Sequence, residues 1–520
     1  MPISQQGAIN TTSLIVPDLY VQIVPPQNLV LNGVPTNIVG VVGTAPWGPV
    51  NEPTIVGTMS DYAQQFGSLV PRTCDMGTQV ATAVQQGAQN FRCVRVTDGT
   101  DTAAYSVVPG SNASFTAIYT GSLGNNIVLT LGVGTRPATW MLSVLLPGFE
   151  PELYDGLTGD GAAFWVGLAA AVNTGLGRQR GPSMLVIASA GGTTASPAPF
   201  SLTLGSSGAG SDGATLVGSP QMIGSDIPVR NGMYALRGQG CGIALLSDCS
   251  DPETWVNQAA FGLQEGIYMI LATPPGDTIT NAMTTKAQVG LDSYSAKLMF
   301  GDWLWWTDQV NNMVRLVSPQ GFAAGRLANL SPEQSSLNKQ IYGILGSQSS
   351  GTPGSGQNTA YSTADLSALL GAGIDVICNP QPGGSFWGVR GGHNTSSNPA
   401  TDGDNYTRLT NYIAETLAAG MGQYVGCVVN SNLFQQIRST QLSFLNNMYG
   451  QGLLGSTDGS IPFTVICDTS NNPSSRTSLG YVQSDAQIQY QAINERFIVN
   501  VEGGQTVQVS RQTLPTGQVN

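Results

Sequence analysis

Thr36-Asn37-Ile38-Val39-Gly40-Val41-Val42-Gly43 is a short, mostly β-branched run that leads into a turn rich in Gly and Pro, Gly48-Pro49. Branched side chains pack well on a pleated strand, and a run that is apolar on both parities reads as a strand buried on both faces. Just downstream, Ser60 is placed to cap a short helix with Asp61 in its first turn, Tyr62 and Phe66 on one side and Gly67 as its stop. Further strands are expected at 91–96, 242–246, 267–271 and 374–378, with helical stretches between them. That alternation predicts an α/β (α+β) core, a mixed sheet with flanking helices.

Outward from this core the character changes. Residues 101–230 are rich in Gly, Ser and Thr, with alternating strands expected at 127–131, 141–146 and 200–204. This is read as a β-rich inserted, outer domain. It divides the core into 27–100 and 231–502, and leaves 1–26 and 503–520 as extended terminal arms.

Two C-terminal helices are clear. Over 405–419, Tyr406, Leu409, Ile413 and Leu417 keep helical spacing, and Gly420 is expected to end the run. Over 432–449 the apolar residues cover about half the wheel, wider than one core-facing stripe requires. Arg438 falls inside that arc, which also holds Leu442 and Tyr449. Two readings stay open: a deeply buried helix with a snorkelling Arg, or a helix covered on one side by its own core and on the other by a partner.

The termini share a pattern. Phe497, Val499 and Val501 alternate as a half-buried strand, Gly503-Gly504 forms a hinge, and Val507 and Val509 suit a second short strand. Leu14-Ile15-Val16 has the same character and is isolated by Pro17, with Tyr20 just beyond. Orphan strands of this kind suit pairing with another chain, or are frayed ends.

Composition narrows the function. Only 10% of the 520 residues are charged, where about 25% is ordinary, and 66 are Gly. A chain so poor in charge suits a subunit with most faces against neighbours. The net charge of −12 speaks against nucleic acid as a partner, because phosphate neutralisation needs clustered Lys and Arg. Of 19 basic residues only Lys286, Lys297 and Lys339 are Lys, a bias toward Arg that fits protein interfaces or the base composition of the source genome. Seven scattered Cys without a CxxC pair fit a reducing compartment. Neither a signal peptide nor a membrane-spanning run is read, so no direct membrane insertion is expected.

Catalytic patterns are poor. The single histidine, His393, lies in Gly391-Gly392-His393-Asn394 and is expected as a surface loop residue. There is no GxSxG and no GxxxxGK[ST], and one GxGxxG, Gly208 to Gly213, sits in a Gly/Ser run with no helix expected over 214–220. Asp248/Asp251 and Asp402/Asp404 read as caps and turn residues. Trp303, Trp305 and Trp306 read as core or interface filling rather than a sugar platform. No catalytic, cofactor or metal residue is assigned, and the protein is not expected to be an enzyme.

Several stretches resemble the contractile tail sheath family. Val39 to Ala45 is followed by Gly48-Pro49-Val50-Asn51, Pro53, Ser60-Asp61 and Phe66-Gly67. Ala117, Tyr119, Gly121, Gly124-Asn125 and Ile127 resemble a turn early in the family's inserted domain. Pro319, Gly321, Ala324-Gly325 and Ala328 resemble a conserved-pattern helix, and the order from Asn430, Leu433 and Phe444-Leu445 through Cys467-Asp468, Asn471, Gly480 and Phe497-Ile498 follows the family's C-terminal region. The family's opening Pro-Gly-Val-Tyr is here Pro17-Asp18-Leu19-Tyr20, and Leu337-Asn338-Lys339-Gln340 replaces another of its motifs.

The resemblance implies a bacteriophage structural subunit, a homo-oligomer of stacked rings around a tail tube, without cofactors. It would be assembled in the host cytoplasm and carried in the virion. Baseplate and tail terminator proteins would be partners, the arms at Leu14, Ile15, Val16, Tyr20, Gly503, Gly504, Val507 and Val509 would join subunits, and Arg438, Leu442 and Tyr449 would face the tube. The rival readings are the sheath of a bacteriocin or type VI-like secretion machine and, in a different class, a carbohydrate-active hydrolase.

Overall fold

A computed structural model describes residues 31–357 and 360–501, together with the backbone of Ile3–Ser4 and Val21–Gln22. The fold is mixed α/β. Its central sheet has six strands in the order Ala296–Met299, Tyr268–Ala272, Ile243–Leu246, Val39–Gly43, Phe91–Arg95 and Thr54–Val56. All pairings are parallel except the last, where Thr54–Val56 runs against Phe91–Arg95.

Alternate side chains of this sheet feed two cores. Val39, Val41, Ile243, Leu245, Tyr268 and Ile270 pack against the helices Met76–Gln85 and Gln320–Ala328. Val42, Ala244, Leu246, Met269, Leu271 and Leu298 pack against Trp255–Glu265, Ile279–Val289 and Thr363–Gly371. A parallel sheet covered on both faces needs apolar residues on both parities, which is what the Thr36–Gly43 run supplies. The two helices on the first face come unusually close. A Cβ on Gly325 would stand 2.5 Å from the Ala83 backbone and one on Gly321 2.7 Å from the Gln79 carbonyl, so both positions need glycine.

Residues 105–203 build two further antiparallel sheets around a third core that includes Phe115, Leu129, Val144 and Tyr154. The helix Gly161–Thr174, absent from the sequence reading, packs into it through Phe164, Trp165 and Leu168. Arg95 ties this region to the central sheet. Fully buried, its guanidinium donates to the carbonyls of Gly48 and Thr120 at 2.7 Å and of Asp212 at 3.2 Å.

Local corrections have local causes. Thr58, not Ser60, caps the first helix, in a reciprocal box with Asp61. The 374–378 run is split: Asp375 bridges Met299, and only Ile377–Cys378 pairs, with Gly388–Val389. The helix Asp404–Met421 runs through Gly420, whose missing side chain makes room for Leu31 rather than ending the helix.

That helix is fastened to the sheet by a buried ion cluster. Lys297 Nζ lies 2.6 Å from Asp375 Oδ2 and 3.1 Å from Asp404 Oδ1, and donates to the His393 carbonyl at 3.0 Å. Asp404 also accepts from Tyr268 Oη at 2.6 Å and from Ser336 Oγ. Asp375 accepts backbone N–H bonds from Val376, Gly391 and Gly392 at 2.7–2.8 Å. Burial alone would raise the Asp404 carboxyl, but Lys297, Ser336 and Tyr268 outweigh it and hold it below its ordinary range. Burial would likewise lower Lys297, and the two carboxylates instead raise it. Asp404 is therefore not the helix cap expected of it; it is an internal anchor.

A buried pair that loses one member leaves an uncompensated charge, so Lys297→Ala is expected to cost about 3–5 kcal/mol in urea unfolding. Asp404 has a depressed folded value, so its contribution is present above the ordinary carboxylate range near pH ~4 and is lost as pH falls through the lower folded value. Lys297, raised in the fold, contributes below its ordinary value of about 10.4 and loses that contribution as pH rises further. Acid unfolding of Lys297→Ala should accordingly be shallower than that of the wild type.

Candidate assembly surfaces

The side chains that suggested chemistry are occupied in structural roles. Trp303 and Trp306 are buried, and Trp306 Nε1 donates to Gln85 at 3.0 Å. Asp248 accepts from the Cys74 N–H at 3.0 Å and from Gln79 at 2.8 Å, and burial pushes its carboxyl up to about 7. Asp251 caps the turn Pro252–Thr254 through the Glu253 N–H. The Gly208–Gly213 loop folds back on Tyr105 and Thr102 as isolated bridges, and Asp212 holds Arg72 at 2.6 Å. Residues 214–218 are not helical, and a five-residue helix, Ser219–Ile223, begins only at the end of the 214–220 stretch where none was expected. Among the described residues no group of three His, Cys, Asp or Glu side chains is placed to hold a metal ion.

His393 is not a free surface residue. Its Nε2 lies 2.9 Å from Glu495 Oε1 and its Nδ1 3.9 Å from Asp402 Oδ2.

The residues expected to meet the tube lie toward the C-terminal end, although large apolar side chains such as Val133, Met184 and Val229 are exposed elsewhere. The helix Ser431–Gly450, capped by the Asn430 side chain on the Leu433 N–H, buries Leu433, Phe434, Ile437, Phe444, Leu445 and Met448. At the margin of that face Arg438 is exposed, beside Leu442, which is half-buried against the same core, in a shallow depression with Gln435 and Asn446. Tyr449 is 40% exposed, with its ring 6.4 Å from Phe463. Among the described residues Gln435, Gln436, Asn446 and Asn447 are left exposed along the rest of the helix, and Arg438 is not buried. The connection between the two C-terminal helices exposes Val425 and Val428 on either side of Cys427.

Beyond this helix, Phe463–Ile466 and Asp485–Ile488 form a two-stranded antiparallel sheet with no third strand among the described residues. From 489 to 501 the described chain has no further secondary structure. Phe497, Ile498, Val499 and Val501 are 63–85% exposed on both parities. The alternating half-buried strand expected here is not formed within the subunit, because nothing in the described chain lies beside it to pair with. Leu14, Ile15, Val16, Tyr20, Gly503, Gly504, Val507 and Val509 lie outside the described residues.

No family model and no curated relative matches the sequence. Solved structures do match in fold. The sheath tail protein of Desulfitobacterium hafniense shares 15% identity over 86% of this chain and 93% of its own, at a TM-score of 0.56. The sheath tail protein of Listeria innocua shares 14% over 85% and 90%, at 0.58. The anti-feeding prophage helical sheath in its contracted state shares 11% over 94% and 99%, at 0.53. The chain has the fold of contractile sheath proteins.

The cysteines offer a check on this map of open surface. Cys427 is exposed, whereas burial pushes the thiols of Cys74 and Cys241 up to about 12 and that of Cys378 up to about 11. Maleimide at neutral pH should modify one thiol per native monomer, at Cys427, and all seven after unfolding. Rapid native modification of a second site would contradict the packing described.

Proposed function

We propose that this chain is the structural subunit of a contractile sheath, most simply that of a phage tail, which polymerises around a tube and shortens to drive it through a cell envelope. The observation that carries the reading is the bare apolar segment at 497–501, on a chain whose fold is that of sheath proteins. Four large apolar side chains held in water cost apolar burial of roughly 1.5–3 kcal/mol each, which a neighbouring subunit would recover. A sheath of a bacteriocin or secretion machine would use the same surfaces, and no observation favours that reading or the carbohydrate-active hydrolase.

In this account the tail from Phe497 onward, with Gly503, Gly504, Val507 and Val509 in its continuation, adds a strand to a neighbour's Phe463–Ile466/Asp485–Ile488 sheet. The N-terminal arm through Leu14, Ile15, Val16 and Tyr20 does the same from the other end. Contraction is a switch between two packings of one subunit, and the arms keep rings linked while they rotate. Residues 101–230 decorate the outside. Baseplate and terminator proteins close the two ends, and neither a cofactor nor nucleic acid takes part.

Removing the chain after Gly503 tests the arm. The truncated protein should keep its thermal unfolding transition yet give no tubes by negative-stain microscopy under conditions where the full chain forms them. Normal tubes from the truncated chain would defeat the arm's role.

Arg438, Leu442 and Tyr449 are proposed to face the tube, because they share one stripe of the Ser431–Gly450 helix on which Arg438 and Tyr449 are exposed and Leu442 is half-buried. Arg438→Glu should leave thermal stability within about 0.5 kcal/mol of wild type, as surface changes generally do, and should allow tube-free polymerisation while blocking assembly on purified tube. Equal co-assembly of variant and wild type would remove Arg438 from the tube interface.

A further inference from the structure

The one histidine of the chain stands where the exposed tail leaves the core. Its backbone belongs to the buried ion cluster: the His393 N–H donates to Asp375 Oδ2 at 3.3 Å, and its carbonyl accepts from Lys297 at 3.0 Å. The ring therefore projects from a fixed point. Toward the tail it meets Glu495 Oε1 at 2.9 Å, and on the other side Asp402 Oδ2 at 3.9 Å. Glu495 is two residues before Phe497, the first of the bare apolar side chains. Immediately upstream of this contact the tail is held at Asn405, which donates to the Gln491 carbonyl at 3.1 Å, and at Tyr490, whose hydroxyl lies 3.1 Å from Thr410. Among the described residues, the contact between His393 and Glu495 is the last hydrogen bond that holds the tail before Phe497.

We infer that His393 and Glu495 form a protonation-sensitive strap that sets how firmly the root of the C-terminal tail is held on its own subunit. With the imidazole charged, the ring lies between two carboxylates and its bond to Glu495 is charge-assisted. With the imidazole neutral, one hydrogen bond remains and the attraction to Asp402 is lost. The hold is tight while the imidazole is charged and loosens when it is neutral. A loosened strap leaves the tail free to join a neighbour. The inference concerns the free subunit and does not depend on what the tail joins.

Other charges face the same place. Arg390, Arg496, Lys286 and Asp402 line the adjoining cavity of about 620 Å³, together with His393 and Glu495. Lys286 is committed to the carbonyls of Ala372 and Thr395 at 2.7 and 3.1 Å. Burial raises the Asp402 carboxyl; His393 draws it back down and Glu495 raises it further. Asp402 is thus a second group able to titrate here, and the test must separate the two.

Hydrogen exchange of the full-length chain, with labelling times scaled for the chemical rate, reads the strap through peptides covering 489–501 at pH 5.5 and pH 8. In the wild type, protection at 493–497 should fall about threefold from the lower to the higher pH, the scale of a partly exposed ion pair. His393→Gln keeps a side-chain amide donor but cannot charge, and Glu495→Gln removes the carboxylate; both should make protection independent of pH. Peptides of the central strands, unchanged in every variant, report that the fold is intact. A wild type with no pH dependence would overturn the inference. So would a pH dependence that survives in His393→Gln, which would assign it to Asp402.

Discussion

The structure turns on one charged side chain placed where charge is least welcome. Lys297 sits in the edge strand Ala296–Met299 of a sheet buried on both faces, with its ammonium fully enclosed. An isolated ammonium there would cost several kcal/mol, so its two carboxylate partners are obligatory. Asp375 comes from the segment that continues the sheet beyond Met299, and Asp404 from the first turn of the Asp404–Met421 helix. Satisfying Lys297 therefore fixes where that helix starts and which way it points. Tyr268, Ser336 and the His393 carbonyl complete the cluster, so strand, helix and the 388–403 loop share one anchor.

From that anchor the C-terminal surfaces follow. The Asp404–Met421 helix carries Leu409 and Ile413 to meet Phe444, Leu445 and Met448 of the next helix, and Leu31 and Val465 close the same small core. The same packing also lays the chain after Ile488 along the Asp404–Met421 helix, where Tyr490 and Gln491 are held. The sparse charge of the sequence matches a surface carried largely by polar uncharged residues, with large apolar side chains exposed at many points between Ile55 and Val501.

Legibility from sequence followed the physics of each element. The strands at Val39–Gly43, Phe91–Arg95, Ile243–Leu246 and Tyr268–Ala272 were readable because a doubly covered strand is a continuous apolar run with few competing interpretations. Helix ends were less so: Gly420 carries the signature of a stop but serves as a gap for Leu31, a distinction that depends on a residue 389 positions away. The ion cluster was missed although its signal was present, since Lys297, one of only three Lys, interrupts the apolar run Ala296-Lys297-Leu298-Met299-Phe300. A lysine at such a place demands a buried carboxylate, but only the fold says which. Likewise His393 reads as a loop residue until Glu495, about a hundred positions on, is brought to it. The segment Phe497 to Val501 reads as a strand in sequence, yet among the described residues it pairs with nothing.

A helical reconstruction of the assembled protein, at a resolution that traces the backbone, tests the central claim most directly. The account predicts hollow tubes in which residues 497–501 lie as a strand along the Phe463–Ile466/Asp485–Ile488 sheet of a neighbouring subunit, with Phe497 and Val501 buried between the two chains. Tubes in which that segment folds back onto its own subunit, with the neighbour's sheet edge bare, would contradict it.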